Sequence, residues 1–273
     1  MLGTFVEICA GGTRKDKLFC AINEAFKAIA LIHRLMSFHD ETSDVSRINR
    51  LALRHLVSIH PLTYEVLKTA QKISIQTDGL FDCTVATHLV RLKYLPPIVS
   101  ARNKPSGNFK DIHFFPSQKI KFRKPLSIDL GGIAKGFAVD MAVRKLKASG
   151  IPYGSVNAGG DLRIFGNTKQ PIHIRSAEHP GKIFLLGYVE EGALATSASY
   201  FSRKRFKKTW VTPIINPKDG SAHVGLASAS VFAPSCMMAD ALTKAVMLSG
   251  NPRASFLKKF SARAFMFEHS SRN

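Results

Sequence analysis

The sequence predicts an α+β fold with mixed, largely antiparallel sheets and packed helices. Several segments carry apolar residues at helical spacing, and short alternating segments between them predict strands. These helices and strands do not strictly alternate along the chain, which favours antiparallel over parallel pairing. The chain has 273 residues, of which 45% are hydrophobic, so it can form a sizeable core. Because no clear linker interrupts it, we expect one domain over residues 1–273.

The first part of the chain predicts a strand and then a helix. "GTFVEICA" (3–10) alternates as a strand does, and residues 18–35 keep helical spacing. The polar segment "MSFHDETSDVSRIN" follows, in which either Ser43 or Asp44 could cap a short helix.

The next segments predict a second long helix and two strands. "HPLTYEVLKTAQKISIQTDG" has Thr63 as a candidate N-cap and Gly79 near its end. "DIHFFP" and "KIKFRKPLSIDL" read as strands, and the second leads into a glycine-rich corner.

The second half of the chain predicts a meander enclosed by two helices. The first helix runs to about Lys147 and stops at Gly150, and the last one starts after Ser235, a candidate cap. The strands predicted between them come from the segments "YGSVNAGGDLRIFG", "PIHIRSA", "KIFLLGYVE", "GALATSASYFSR", "WVTPIINPKDG" and "LASASVFAP".

The charge of the chain is strongly positive. It holds 39 Lys and Arg against 19 Asp and Glu, a formal net charge of +20, and such an excess attracts anions. The densest run, "RKRFKK" (203–208), is typical of a solvated surface. No nucleic-acid-binding motif accompanies it, so we expect no nucleic-acid partner.

Cysteine spacing and hydropathy bear on the compartment. Cys9, Cys20, Cys83 and Cys236 form no metal-binding spacing and are interpreted as buried thiols in a reducing compartment. We see neither a signal peptide nor an apolar stretch of membrane-spanning length. The sequence as it stands therefore predicts a cytoplasmic protein with no transmembrane segment, or a periplasmic or membrane-associated one if a leader is missing.

The corner "DLGGIAKG" joins a strand to a helix. Gly131 and Gly132 have no side chains that would keep a ligand away from the backbone. The free N–H groups of the following helix favour the binding of an anion such as phosphate. Lys135 in the first turn could meet the same phosphate as a point charge. A corner that binds nothing is the alternative, since neither phosphate-loop spacing is present.

Two further elements extend this case, a second glycine segment and a carboxylate inside a helix. "NAGGDLRIFG" places Asp161 after two glycines, which a tight hairpin also explains. Asp240 lies inside the apolar helix "CMMADALTKAV", where an unpaired carboxylate is costly. It could bind Mg²⁺ beside a pyrophosphate, or it could pair with Lys244 one turn later.

Taken in order, these motifs resemble one family. The chain is similar over nearly its whole length to the ApbE family of FAD:protein FMN transferases, which has an α+β, T-fold-like architecture. The resemblance is carried by "GTFVEI", "MSFHDETSDVSRIN", "TDGLFDCTV", "SIDLGGIAKGFAVD", "VNAGGDLRIFG", "LATSASYF", "PIINPKDG" and "SVFAPSCMMADALTKAVMLSG".

The resemblance implies a reaction, two cofactors and a partner. FAD is the substrate and Mg²⁺ bridges its pyrophosphate. A Thr or Ser hydroxyl of a flavin-accepting protein takes the FMN group and AMP leaves. The oligomeric state is not implied.

The resemblance also implies site residues. Asp240 matches the acidic metal ligand, Gly132 matches a carbonyl ligand, and Lys135 matches the lysine at the flavin nucleotide, so Asp240 and Lys135 are the implied catalytic residues. Leu80, Phe81 and Asp82 match the family's "AFD" segment, which contacts FAD.

The chain departs from the family pattern at several implied contacts with FAD and metal. Leu2 replaces a methionine and His39 replaces an aromatic FAD contact. Pro213 replaces a histidine that is a candidate general base, and proline cannot move a proton. Lys244 replaces the hydroxyl metal ligand, while the neighbouring Thr243 lies roughly 100° round the helix.

These departures leave alternatives open. The ammonium of Lys244 could occupy the place of Mg²⁺, or it could point away and leave a weakened metal site. The protein is accordingly either a divergent FMN transferase or an impaired FAD-binding protein. A third hypothesis is that the protein hydrolyses FAD to FMN and AMP.

Overall fold

The computed structural model describes residues 2–97, 105–175, 183–225 and 227–268. The helices are α1 (Lys15–Met36), α2 (Asp44–Leu51), α3 (Pro61–Gln76), α4 (Ala86–Arg91), α5 (Ala134–Ala148), α6 (Ser199–Ser202) and α7 (Cys236–Ser249). The strands are β1 (Val6–Gly11), β2 (Val57–Ser58), β3 (Ile112–Phe115), β4 (Lys119–Phe122), β5 (Tyr153–Ala158), β6 (Asp161–Phe165), β7 (Gln170–Arg175), β8 (Ile183–Val189), β9 (Gly192–Ala198), β10 (Lys204–Phe206), β11 (Thr209–Val211), β12 (Ala227–Ala233) and β13 (Arg263–Glu268).

The chain divides into two compact units. The first unit comprises Met1–Leu31, Lys135–Phe201 and Gly225–Asn273, and the second comprises Ile32–Ala134 and Ser202–Val224. The single domain over residues 1–273 therefore stays a prediction.

The first unit is built on an antiparallel sheet with the strand order β1-β5-β6-β9-β12-β13. Burial alternates along β5, so one face of that strand points into the core. Helix α7 packs against β9 and β12, and most of its side chains are buried. The α+β class with largely antiparallel sheets is thus confirmed.

The second unit holds the antiparallel sheet β2-β4-β3 and the hairpin β10-β11. Asn49 fixes the segment before the glycine corner, because its amide donates to the Ile128 carbonyl (2.9 Å) and accepts from the Ile128 N–H (2.8 Å). The Asp44 carboxylate accepts from the His60 N–H and from the Thr63 hydroxyl, both at 2.8 Å. Asp44 therefore has a structural role in joining this segment to α3.

Helix ends follow the predictions with one error. Ser43 and Ser235 are N-caps, and each side chain accepts a backbone N–H of the first turn. Thr63 is wrong as the cap of α3, because the helix begins two residues earlier. Pro61 occupies the first turn, where its fixed φ suits a helix, and the His60 ring accepts from the Leu62 N–H.

Several predicted strands are shorter than their patterns. In "KIKFRKPLSIDL" the strand ends at Phe122, and Ser127 forms an isolated parallel bridge with Val85. Pro125 has no N–H to continue the ladder. Strand β9 ends at Ala198, where the short helix α6 begins. Residues 176–177, 182 and 226 of the predicted strands lie outside the described residues.

The prediction of buried thiols is right for two of the four cysteines and wrong for the other two. Cys83 and Cys236 are buried, whereas Cys9 on β1 and Cys20 on α1 are exposed. Burial alternates along β1, and Cys9 is at one of the exposed positions. Cys20 lies on the outer face of an amphipathic helix. Within the described part of the chain, the structure contains no helix with the length and apolarity needed to cross a membrane.

Candidate functional site

Helices α5 and α7 of the first unit bring together charged side chains that are far apart in the sequence. The Lys135 ammonium contacts the Asp161 carboxylate and lies 3.9 Å from Oδ2 of Asp240. The Lys244 ammonium contacts Oδ1 of Asp240 and lies 3.0 Å from the carbonyl oxygen of the same residue. We call Lys135, Asp161, Asp240 and Lys244 the charged cluster.

In the charged cluster the carboxylates are buried, and the ammonium groups are more exposed to solvent. The Asp161 and Asp240 side chains are 2% and 1% exposed, whereas those of Lys135 and Lys244 are 30% and 23% exposed. Two positive and two negative charges cancel, which is how buried carboxylates are normally tolerated. The solvent-facing side of the cluster is therefore cationic.

The pKa values of the cluster follow from burial and from mutual charge. Burial opposes the charge of Lys135, but Asp240 and Asp161 outweigh it and raise the pKa of Lys135 above its ordinary value. Burial opposes the ionisation of Asp240 too, yet Lys135 and Lys244 hold its pKa below its usual value. Burial and then the Asp240 charge raise the pKa of Asp161 to about 6.

Asp140 holds the start of α7 in place. One carboxylate oxygen accepts from the Cys236 N–H (3.0 Å) and from the Arg163 guanidinium (2.8 Å), and the other accepts from the Met237 N–H (2.9 Å). These bonds satisfy free N–H groups of the first turn of α7. Asp140 belongs to α5, so it fixes the helix that carries Asp240 against the helix that carries Lys135.

A cleft of about 840 Å³ opens in the first unit. Asn157, Gly159 and Gly160 line one side, and Gly160 directly precedes Asp161 of the charged cluster. Thr196 and Tyr200 line another part. The volume lies in the range of small-molecule and cofactor sites.

Not every implied FAD or metal contact belongs to this cluster. Leu2 lies in the first unit, in the turn before β1, with a positive φ of 55°. The residues that belong to the second unit are His39, Leu80, Phe81, Asp82, Gly132 and Pro213.

The implied residues of the second unit differ in exposure. His39 is exposed, Leu80, Gly132 and Pro213 are half-buried, and Phe81 and Asp82 are buried. Oxygens of Asp82 accept from the backbone N–H groups of Thr84 (2.8 Å) and Phe109 (3.4 Å). Burial nevertheless raises the pKa of Asp82. These bonds give Asp82 a structural task within its own unit.

Asp161 and Asp140 are members of this arrangement that the site prediction did not include. The sequence pattern around Asp161 favours a hairpin turn, and Asp161 does begin β6 after the glycine pair. Asp140 carries the signal that singled out Asp240, a lone carboxylate within an apolar helical segment. That signal could have found Asp140 in the sequence.

The residues around Asp240 do not fit a divalent cation. Its Oδ1 contacts Lys244, and its Oδ2 accepts from the Gly136 N–H (3.3 Å) and faces Lys135. The Thr243 hydroxyl donates to the Asp240 carbonyl oxygen (2.6 Å) and shares a hydrogen bond with Ser197 (2.7 Å). Across the described residues, no group of three or more His, Cys, Asp and Glu side chains could hold a metal ion.

Comparison with known proteins places this architecture in a family. The model of the ApbE family matches residues 2–266. The FAD:protein FMN transferase of Vibrio cholerae is 30% identical over 237 residues, which cover 80% of this chain and 70% of that protein. The enzyme of the same name from Treponema pallidum is 30% identical over 275 residues, covering 89% and 75%.

A solved structure agrees with the fold. The crystal structure of the ApbE protein from Thermotoga maritima superposes with a TM-score of 0.84 at 25% identity, covering 99% of this chain and 95% of that one. Flavin transferase ApbE from Vibrio cholerae has a TM-score of 0.77 at 23% identity. Sequence and fold together show that this chain belongs to the ApbE family.

Proposed function

We propose that this protein is an FMN transferase that moves FMN from FAD to a Ser or Thr hydroxyl of a partner protein. The hydroxyl oxygen forms a bond to the phosphorus nearer riboflavin, and the bond from that phosphorus to the bridging oxygen of the pyrophosphate breaks. AMP leaves with the bridging oxygen, and FMN remains attached through a phosphodiester. One proton is released, and no group is oxidised or reduced.

The cationic front of the charged cluster carries this proposal. Lys135 and Lys244 are partly exposed in front of two buried carboxylates, in a family whose relatives are named FAD:protein FMN transferase. Two ammonium groups held this way can donate charge-assisted hydrogen bonds to the oxygens of the FAD pyrophosphate. The cleft that Gly160 lines is large enough for part of a nucleotide.

In this proposal the chain contributes position and charge. Lys135 and Lys244 hold the pyrophosphate and neutralise the charge that develops on the departing AMP. Asp161 and Asp240 hold both ammonium groups in place, and they raise the pKa of Lys135. Pro213 cannot accept the hydroxyl proton, so the proton passes to water or to the phosphate of AMP.

The replacement of the family's histidine by Pro213 favours a second candidate function, that of an FAD-binding protein without transferase activity. This candidate keeps the charged cluster and the cleft but lacks the proton acceptor whose place Pro213 takes. Hydrolysis of FAD differs from both, because it yields free FMN and AMP without an acceptor.

The test uses purified protein, FAD and a flavin-accepting domain, with intact-mass spectrometry of the acceptor and chromatography of AMP. We expect a gain of one FMN residue by the acceptor and one AMP for each acceptor modified. An acceptor with its target hydroxyl removed should gain nothing. Lys135→Met should abolish transfer, while Lys258→Met, which changes an exposed lysine of the same unit, should not.

The possible results separate the candidates. FAD binding without a mass gain supports the binding protein, and AMP release without acceptor supports hydrolysis. The absence of FAD binding contradicts all three. We further propose that residues 1–273 act as one flavin transferase domain, which the family match over residues 2–266 supports.

A further inference from the structure

The charged cluster already contains the positive charge that a divalent cation would bring. Lys135 and Lys244 carry one charge each, and together they balance Asp161 and Asp240. A magnesium ion added beside Asp240 would place two more positive charges next to two ammonium groups in a partly buried site. In the protein without FAD, no further carboxylate of the cluster would compensate that repulsion.

The hydrogen bonding of Asp240 leads to the same conclusion. Both of its carboxylate oxygens have cationic or N–H partners, and its carbonyl oxygen accepts from Thr243 and Lys244. Lys244 lies one helical turn after Asp240, so the helix itself holds the ammonium at the carboxylate. Magnesium would have to displace Lys244 before it could reach Asp240.

We propose that the Lys244 ammonium replaces the divalent cation at this site and binds the FAD pyrophosphate directly. Lys135 supplies the second charge, so binding of FAD by this chain does not depend on a divalent metal. This inference rests on the proposed function, because it assumes that FAD is the ligand.

The first experiment compares FAD affinity, followed by flavin fluorescence, in excess EDTA and in millimolar magnesium. For the unchanged protein we expect the dissociation constant to differ by less than about twofold between the two conditions. Lys244→Met should weaken FAD binding by about tenfold or more, because a charged hydrogen-bonding partner of the phosphate is lost. Lys258→Met, the control, should leave the affinity unchanged.

A second variant tests whether Lys244 excludes metal. Lys244→Thr places a hydroxyl one turn from Asp240 and removes the ammonium, which leaves room for a hydrated cation. In this variant, FAD affinity should fall in EDTA and recover in magnesium. The double variant Asp240→Asn with Lys244→Met removes both charges at once, so it leaves no unpaired buried charge and can fold even where the loss of a single charge is not tolerated.

The third measurement needs no FAD. Mn²⁺ is added to the protein alone, and its electron paramagnetic resonance signal reports free ion. The unchanged protein should leave the signal at the level of buffer, whereas Lys244→Thr should reduce it.

The outcomes distinguish this inference from the proposed function. If EDTA weakens FAD binding of the unchanged protein by about tenfold or more, or if that protein binds Mn²⁺ at Asp240, Lys244 is not the resident cation although FAD is still the ligand. If FAD does not bind under either condition, the proposed function itself fails. Metal-insensitive FAD binding that is lost in Lys244→Met supports both.

Discussion

Gly136 on α5 lies directly against the backbone of Cys236 on α7. A Cβ atom at Gly136 would stand 2.2 Å from the Cys236 carbonyl oxygen and 2.8 Å from the Met237 nitrogen. Both neighbours are backbone atoms at the start of a helix, so neither can rotate away. The missing side chain therefore sets how closely the two helices of the charged cluster approach.

Gly136→Ala should destabilise the protein. Because the helices must separate to admit a methyl group, we expect the free energy of unfolding to fall by about 2 kcal/mol or more. Chemical denaturation measures this loss. Gly131→Ala is the comparison, since there the nearest atom to an added Cβ is a carboxylate oxygen of the Asp129 side chain at 3.0 Å. Equal losses in the two variants would contradict a specific role for the contact at Gly136.

Asp140→Ala should loosen the start of α7. The change removes the acceptor for two helix N–H groups and leaves the Arg163 guanidinium, whose side chain is 16% exposed, without that partner. We expect a loss of about 3 kcal/mol in the free energy of unfolding, together with weaker FAD binding.

Glu191→Ala is the matched comparison for Asp140→Ala, because Glu191 pairs with Lys147 at the surface and also lies 3.9 Å from the Arg163 guanidinium, so it removes the more distant carboxylate partner of Arg163. That variant should change stability by less than about 1 kcal/mol. A similar small effect for Asp140→Ala would show that other contacts hold α7.

The stability of the protein should depend on pH through Asp161. Its pKa is raised from the ordinary 3.8 to about 6, so the folded protein binds this proton more tightly than the unfolded chain. The stabilisation that this proton gives the folded protein is therefore complete at pH values below the pKa of Asp161 in the unfolded chain. It is lost as the pH rises through about 6. At about 1.4 kcal/mol for each pKa unit, the difference reaches about 3 kcal/mol.

Asp161→Asn removes this titration. As pH rises from about 4 to 7, the unchanged protein should lose stability relative to the variant, and denaturation curves at several pH values measure the difference. A difference that stays constant over this range would mean that Asp161 titrates near its ordinary pKa.

Pro213→His puts an imidazole at the position where the family resemblance implies a histidine, and so tests whether the proposed transfer is slowed by the loss of a proton acceptor. A positioned general base contributes substantially to transfer reactions, so we expect the rate of AMP release to rise by at least about tenfold in the presence of acceptor. The rise should follow the ionisation of a histidine, with low activity in acid. Pro213→Ala controls for loss of the proline ring, and an equal rise in that variant would exclude proton transfer as the cause.

The sequence predicted members of the charged cluster where a charged residue lies within an apolar or glycine-rich segment. Asp240 was found because a carboxylate within an apolar helix needs a partner, and helical spacing correctly offered Lys244 as that partner. The place of Lys135 in the first turn after two glycines predicts a phosphate contact, which stays a prediction, whereas the structure pairs Lys135 with Asp161. These features are local, so a single segment reveals them.

What the sequence could not supply was contact between distant segments. Asp161 has a sufficient local explanation in its hairpin, and only the pairing of β5 with β6 and the packing of α5 bring it to Lys135. His60 rather than Thr63 caps α3, because the helix already begins at Pro61, and the Thr63 hydroxyl donates instead to Asp44 of another helix. A tertiary contact decided the first case, and the proline at the start of the helix decided the second.

The contact between Lys244 and Asp240 has a consequence for how this protein would behave as its surroundings change. A metal ion must be taken from solution, and the share of protein that carries it follows the free concentration of that ion. A lysine is incorporated during translation, one for every chain, and stays when the free metal is depleted. With Lys244 as the resident cation, the capacity to hold FAD is therefore uniform across all folded molecules and independent of metal supply.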